Sequence, residues 1–143
     1  MAEAKTTEVF NCTMDEFYSI VSDYEKYSDF LTEVKSCKVL KTDGAKKLVE
    51  YNVSMIKEFK YRLWMTEEKP IKISWVFESG DLFKVSNGYW ELKEEAGKTR
   101  ATYFVEAKFN LFVPSPIAKT LVSVNLVNMV SSYHKRVKEL YGK

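Results

Sequence analysis

The sequence predicts an α+β fold in which one curved antiparallel sheet wraps a long C-terminal helix, and three observations predict it. From Val34 to Leu111 apolar residues recur at every second position, the spacing of half-buried strands. Tight-turn signals separate these runs, so consecutive strands pair as hairpins and form a meander. From Val113 to Tyr141 the period changes, and Val122, Leu126, Met129, Tyr133, Val137 and Leu140 fall at steps of four, three, four, four and three, one continuous helical stripe. A helix of roughly 26 residues spans about 39 Å, and only a broad sheet can support it.

Taken in order, Glu8 to Thr13 reads as a short opening strand. Thr13 is a good N-cap, and Glu16 three residues on completes a capping box for a short helix carrying Phe17, Ile20 and Val21 on one face. Asp23 to Leu31 supplies a second helical turn or two, with Tyr24, Tyr27, Phe30 and Leu31 as its apolar side. Val34 to Lys41 opens the meander, and Asp43-Gly44 turns it back. Leu48 to Ile56 answers with Val49, Tyr51, Val53 and Met55 on one face. Next, Phe59, Tyr61, Leu63 and Met65 alternate with Lys60, Arg62 and Trp64, and Pro70 ends the hairpin.

Ile71, Ile73, Trp75 and Phe77 alternate with Lys72 and Ser74, and Ser79-Gly80-Asp81 turns the chain into a long strand bearing Phe83, Val85, Trp90 and Leu92. Gly88 inside that strand marks a bulge or bend. After Gly97 the last strand directs Ala101, Tyr103, Val105, Ala107, Phe109 and Leu111 inward. Ser115 then serves as N-cap with Pro116 as the first helical residue. Lys135, Arg136 and Lys138 sit at the far end, where the helix dipole favours cations, and Gly142 is the stop. The predicted chain is thus a sheet of about seven strands, with two short helices between its first and second strands.

Composition narrows the function classes. At 143 residues and 45% hydrophobic, residues 1–143 make one domain with a sizeable core. The 22 basic and 20 acidic residues are scattered, so nothing marks a nucleic-acid groove or a polybasic membrane tail. Cys12 and Cys37 are too few for a disulfide scaffold and too far apart for a metal knuckle; they read as half-buried, reduced thiols. With neither a secretion signal nor an apolar run long enough to span a bilayer, the expectation is a soluble cytoplasmic protein. Nine Phe, nine Tyr and three Trp make either a large core or the lining of a cavity.

A catalytic constellation is not evident. His134 is the single histidine and reads as a surface or hydrogen-bonded helix residue rather than a metal ligand. No Ser or Cys stands in a nucleophile elbow. Glu106 and Lys108 share the outward phase with Thr102, and Arg62 also alternates outward, although a bend could turn it toward a pocket mouth. The expectation is no cofactor, no metal and no catalytic residue.

The inward aromatics can be core or pocket wall, and both readings stay open. The candidate ligand-binding set is Tyr51, Val53, Met55, Tyr61, Leu63, Trp75, Phe77, Phe83, Trp90 and Tyr103 from the strands, with Val122, Leu126, Met129 and Tyr133 from the helix. Buried tyrosine hydroxyls want partners, and Met55, Met65 and Met129 would add adaptable walls. Ile117, Leu121 and Val124, on the other side of the helix, combine with Leu111, Phe112 and Val113 into an apolar patch. Exposed, it would be a dimer, protein or peripheral membrane contact, or a lid; otherwise the loops around Gly44 or Pro70 bury it.

The run from Phe17 to Leu31 contains Val21-x-Asp23-x-x-x-Tyr27-x-x-Phe30, and Cys37-Lys-Val-Leu40, Gly88-Tyr-Trp90 and the tail from Asn128-Met129 to Glu139-Leu140-Tyr141 follow it. Together these resemble the START-like, or helix-grip, superfamily, in its polyketide cyclase/dehydrase and coenzyme-Q-binding-protein-like branch, over nearly the whole chain. Thr32 stands where that branch usually has proline after the second helix, which argues against the coenzyme-Q subgroup. The resemblance implies an apolar cavity between sheet and long helix for a lipid, quinone or polyketide-like molecule. A carrier or chaperone rather than an enzyme is expected. The alternatives are a polyketide cyclase or aromatase, with tyrosines or Arg62 assisting proton transfer, and an interaction module like the family's bacterial protein proposed to interfere with ribosome assembly.

Overall fold

The computed structural model describes residues 2–54 and 57–142, with the side chains of residues 2, 117 and 119–125 outside the description. Its elements are β1 (Ala2–Phe10), α1 (Met14–Ser22), a 3₁₀ helix (Tyr24–Asp29), β2 (Val34–Asp43), β3 (Lys46–Ser54), β4 (Glu58–Glu68), β5 (Lys72–Gly80), β6 (Phe83–Glu95), β7 (Lys98–Phe109) and α2 (Ser115–Tyr141). All seven strands lie in one antiparallel sheet of order β1-β7-β6-β5-β4-β3-β2. The predicted order of elements is thereby found. Since β1 and β2 are opposite edges, α1 and the 3₁₀ helix carry the chain from one edge to the other.

The opening strand is longer than expected and placed earlier. It runs from Ala2, paired with Ala107, to Phe10, paired with Thr99. Its polar residues alternate on an edge with one face in water, so they give little apolar signal. The predicted cap of α1 is present in full: Thr13 Oγ1 accepts from the Glu16 amide at 3.1 Å, and Glu16 Oε1 accepts from the Thr13 amide at 2.9 Å. This anchors Phe17, Tyr18, Ile20 and Val21 in the core.

Gly88 bends the sheet without being a bulge. Pairing of β5 with β6 runs only from Lys72 opposite Glu91 to Trp75 opposite Gly88. Beyond that point β5 stays with β4 and β6 stays with β7. A Cβ on Gly88 would lie 2.6 Å from Trp75 Cζ2 and would collide with the Phe104 carbonyl oxygen. The bulge lies instead between Phe83 and Val85, and it shifts the alternation by one residue. Phe83 and Ser86 therefore face inward, whereas Val85, expected there, pairs with Lys108 in the outward phase.

In α2 the N-terminus is shifted by one residue. Pro114, extended at φ −61° and ψ 145°, is the N-cap and makes no side-chain cap, so Ser115 is the first helical residue rather than the cap. Gly142 ends the helix in the left-handed region, its amide donating to the Lys138 carbonyl at 2.8 Å. Tyr133 and Val137 are buried as predicted, but Leu140 is 47% exposed. A step of four from Val137 brings Tyr141 over the core in its place, and its hydroxyl donates to the Glu16 carbonyl at 3.2 Å.

Other expectations are also corrected. Leu111 lies past the end of β7 and is 89% exposed, and Ile71 lies before β5 and is 55% exposed. Cys12 and Cys37 are buried, at 1% and 4% exposure, rather than half-buried. Among the described residues no helix is long and apolar enough to cross a membrane.

Two substitutions test these constraints. Gly88→Ala should lower unfolding free energy by about 1–3 kcal/mol in a denaturant titration, because the backbone must yield to the added methyl. Thr13→Ala should cost about 1 kcal/mol by the same measurement, with the amide of Glu16 losing its acceptor.

Candidate functional site

A cavity of about 200 Å³ lies between the concave face of the sheet and α2. Four strands supply nearly half of its wall: Tyr51 and Val53 from β3, Tyr61, Leu63 and Met65 from β4, Ile73 and Trp75 from β5, and Phe83, Ser86 and Trp90 from β6. Tyr103, Val105, Ala107 and Phe109 of β7 continue it, and Met129 and Tyr133 of α2 close the far side. Tyr27 of the 3₁₀ helix, Val34 at the start of β2, and Leu31, Glu33 and Leu82 from the connecting segments complete it.

The rings brace one another along this wall. Tyr51 stacks on Tyr61 at 5.0 Å, Tyr61 meets the Phe83 ring edge-on at 5.0 Å, and Trp90 contacts Tyr103 at 4.9 Å and Tyr133 at 5.2 Å. Ser86 and Ala107 are directly opposite each other on β6 and β7. Two small side chains side by side leave room that larger ones would fill. The cavity therefore follows from rings held apart and from one narrow pair of positions.

Most of the candidate set comes together here, namely Tyr51, Val53, Tyr61, Leu63, Trp75, Phe83, Trp90, Tyr103, Met129 and Tyr133. Phe77 stands off the wall, because β5 has left β6 by that point, and its ring lies 6.5 Å from that of Phe83. Leu126 is half-buried and does not line the cavity. Met55 and the Val122 side chain lie outside the described residues.

Sequence periodicity missed several wall residues for identifiable reasons. Ser86 shares the unbroken phase of Trp90 and Leu92 but is missed by an alternation counted from Phe83 across the bulge, and Glu33 sits in the turn before β2, outside any periodic run. Tyr27 and Leu31 are legible as an apolar side but not as a wall. Val105, Ala107 and Phe109 are legible as inward residues, and only the hollow beside them makes them part of a site.

The polar groups are few and unevenly satisfied. Tyr27 donates to the Val21 carbonyl, and the Tyr51 hydroxyl lies 3.8 Å from Met65 Sδ. Among the described residues, the hydroxyls of Tyr61, Tyr103 and Ser86 make no protein hydrogen bond, and the Glu33 carboxylate makes no ion pair. Burial pushes the Tyr51, Tyr61, Tyr103 and Tyr133 hydroxyls well above the usual phenol range, and the charge of Glu33 raises the last three further. Each of these phenols is a donor at neutral pH rather than a base.

Residues weighed for other chemistry lie elsewhere. Arg62 points out of the sheet and pairs with Glu50 at 3.0 Å, so no bend turns it into the cavity. His134 is exposed, with its ring 4.3 Å from that of Phe10. Among the described residues no group of three His, Cys, Asp or Glu is placed to hold a metal ion. The apolar patch divides: Val113 is buried, whereas Leu111 and Phe112 are exposed and covered by neither the Gly44 nor the Pro70 loop. The Lys57 ammonium lies 5.1 Å from the Phe112 ring, while the side chains of Ile117, Leu121 and Val124 are outside the description.

Solved structures share this architecture. A START superfamily protein from Mycobacterium smegmatis superposes with a TM-score of 0.83 at 19% identity, covering 96% of this chain and 98% of its own. The aromatase/cyclase Zhui from Streptomyces sp. R1128 gives 0.83 at 11% identity, covering 96% and 93%. A STAR-related lipid transfer protein from Xanthomonas axonopodis gives 0.77 at 16%, covering 95% and 85%. At these identities the likeness establishes the helix-grip fold alone. A comparison with curated protein sequences yields no match. The family described as polyketide cyclase / dehydrase and lipid transport matches residues 11–130, and with the braced, hollow sheet closed by its terminal helix, the chain belongs to that family.

Proposed function

We propose that this protein binds a hydrophobic or amphipathic small molecule, such as a lipid, quinone or polyketide-like compound, and carries it rather than transforming it. The observation that supports this best is the cavity itself, whose described wall is apolar and aromatic apart from a few hydroxyls and one carboxylate. Apolar burial would drive binding at roughly 25 cal/mol per Å², less the cost of ordering the ligand. The hydroxyls of Tyr61 and Tyr103 would orient the guest. The lipid transfer protein among the structural neighbours is in keeping with such a role.

A second reading, a cyclase or aromatase, is favoured by the likeness to Zhui and by those same tyrosines facing the cavity. Phenols held protonated can donate to a substrate carbonyl but cannot abstract a proton at neutral pH. The two readings separate on Tyr61→Phe and Tyr103→Phe. Carriage expects ligand binding within a few fold of wild type, whereas catalysis expects loss of product from an aromatic-forming polyketide substrate with binding retained.

Filling the hollow tests either reading. Ala107→Phe or Ser86→Leu should abolish uptake of naphthalene in equilibrium dialysis, while thermal unfolding shows that the variant is folded; undiminished uptake would place the guest elsewhere. Alkaline pH offers a further check. A tyrosine raised in the folded state keeps its proton above pH 10, where the unfolded chain has lost it, so folding stability is fully present below that pH and falls above it. Chemical unfolding followed from pH 8 to 12 should show this decline, with phenolate absorbance from the cavity tyrosines appearing only on unfolding.

A further inference from the structure

Among the described residues that wall the cavity, Glu33 is the one charged side chain. It precedes β2 in a turn held to the end of β3, where the Ser54 amide donates to the Glu33 carbonyl at 2.9 Å. The side chain is half-buried and forms no ion pair among the described residues. Lys57, at the same end of the sheet, lies 5.1 Å from the rings of both Phe59 and Phe112 instead. No Lys, Arg or His lines the cavity among the described residues. A carboxylate facing an apolar hollow without a counter-charge is costly unless a donor reaches it.

The electrostatics are therefore one-sided. A guest with an anionic head, such as a fatty acid or a phosphate ester, would set like charge against Glu33 with no cation in the described wall to offset it. A guest with a hydroxyl or ammonium head would supply the donor that Glu33 lacks. The hydroxyls of Ser86, Tyr61 and Tyr103 stand ready to accept from or donate to other oxygens on the same molecule.

We infer that Glu33 is the specificity-determining anchor of the cavity, selecting a neutral or cationic amphiphile that carries a hydrogen-bond donor and rejecting anionic ones. This rests on the cavity being the ligand site. The backbone of Glu33 makes the contact with Ser54, so replacing the side chain leaves that contact in place.

Naphthyl probes of one body and different heads test the anchor: naphthalene, 2-naphthol, 2-methoxynaphthalene and 2-naphthoate, each measured by equilibrium dialysis against wild type, Glu33→Gln and Glu33→Leu. A hydrogen bond to a charged group predicts that wild type binds 2-naphthol about tenfold more tightly than 2-methoxynaphthalene. That ratio should shrink in Glu33→Gln and vanish in Glu33→Leu, while naphthalene binding is unchanged or improved. The affinity for 2-naphthoate relative to naphthalene should rise about tenfold in Glu33→Gln, since the like charge is gone. If naphthalene binds but the ratio of naphthol to methoxynaphthalene is unity in wild type, or persists in Glu33→Leu, the anchor is wrong and the cavity stands. If naphthalene does not bind wild type at all, both fall.

Discussion

The close approach of the Trp75 ring and the Phe104 carbonyl to Gly88 is the constraint on which the rest of the structure depends. It lets β5 and β6 pair up to that residue and then part. The sheet becomes two connected wings, β1-β7-β6 on one side and β5-β4-β3-β2 on the other, angled around a common concavity. A flat sheet would bring its inward aromatics against the helix and fill the space. A bent one holds them around a hollow.

The molecule is consequently packed solid at one end and hollow at the other. Near the C-terminal half of α2, Phe10, Phe17, Trp90 and Tyr133 form a continuous ring cluster, with Phe10 and Phe17 stacked at 4.4 Å and Phe17 at 5.3 Å from Trp90. Buried Thr99 ties β7 to the entry of α1, its hydroxyl donating to the Cys12 carbonyl at 2.9 Å. Arg136 lies over the Phe30 ring at 5.2 Å, packing the helix on the 3₁₀ segment. At the other end the paired Ser86 and Ala107 leave volume unclaimed. The same class of residue, inward aromatic, is thus core in one place and wall in another, and side-chain size at the neighbouring positions decides which.

Polarity divides less cleanly: among the described residues the buried Tyr18 hydroxyl and Asn52 Oδ1, neither on the cavity wall, have no hydrogen-bond partner. Tyr24 is satisfied by Glu67 at 2.7 Å, and Tyr141 by the Glu16 carbonyl. In the hollow, Tyr61, Tyr103 and Ser86 keep hydroxyl capacity that no described protein group takes up. Burying donors without protein acceptors is tolerated where water or a guest supplies them.

Local chemistry was sufficient for much of this architecture. The Thr13–Glu16 capping box, the Asp43-Gly44 turn, the period-two runs of β2 to β7 and the Gly142 stop are interactions between residues close in the chain, so their signals are written in adjacent letters. Inward phase was equally legible for Tyr51, Tyr61, Trp75, Trp90 and Tyr103, because alternation is a property of one strand. The bulge after Phe83 was not, since it is defined by the partner strand, and it brings Phe83 into the inward phase of Ser86 and Trp90 while Val85 stays outward. Nor was Glu33, whose place on the wall arises from a turn pinned to β3 across the sheet edge. Whether inward rings meet or stand apart depends on distances between strands far apart in sequence; that is why the chain alone determined the fold and the facing residues, and only the folded sheet decided that they enclose a space.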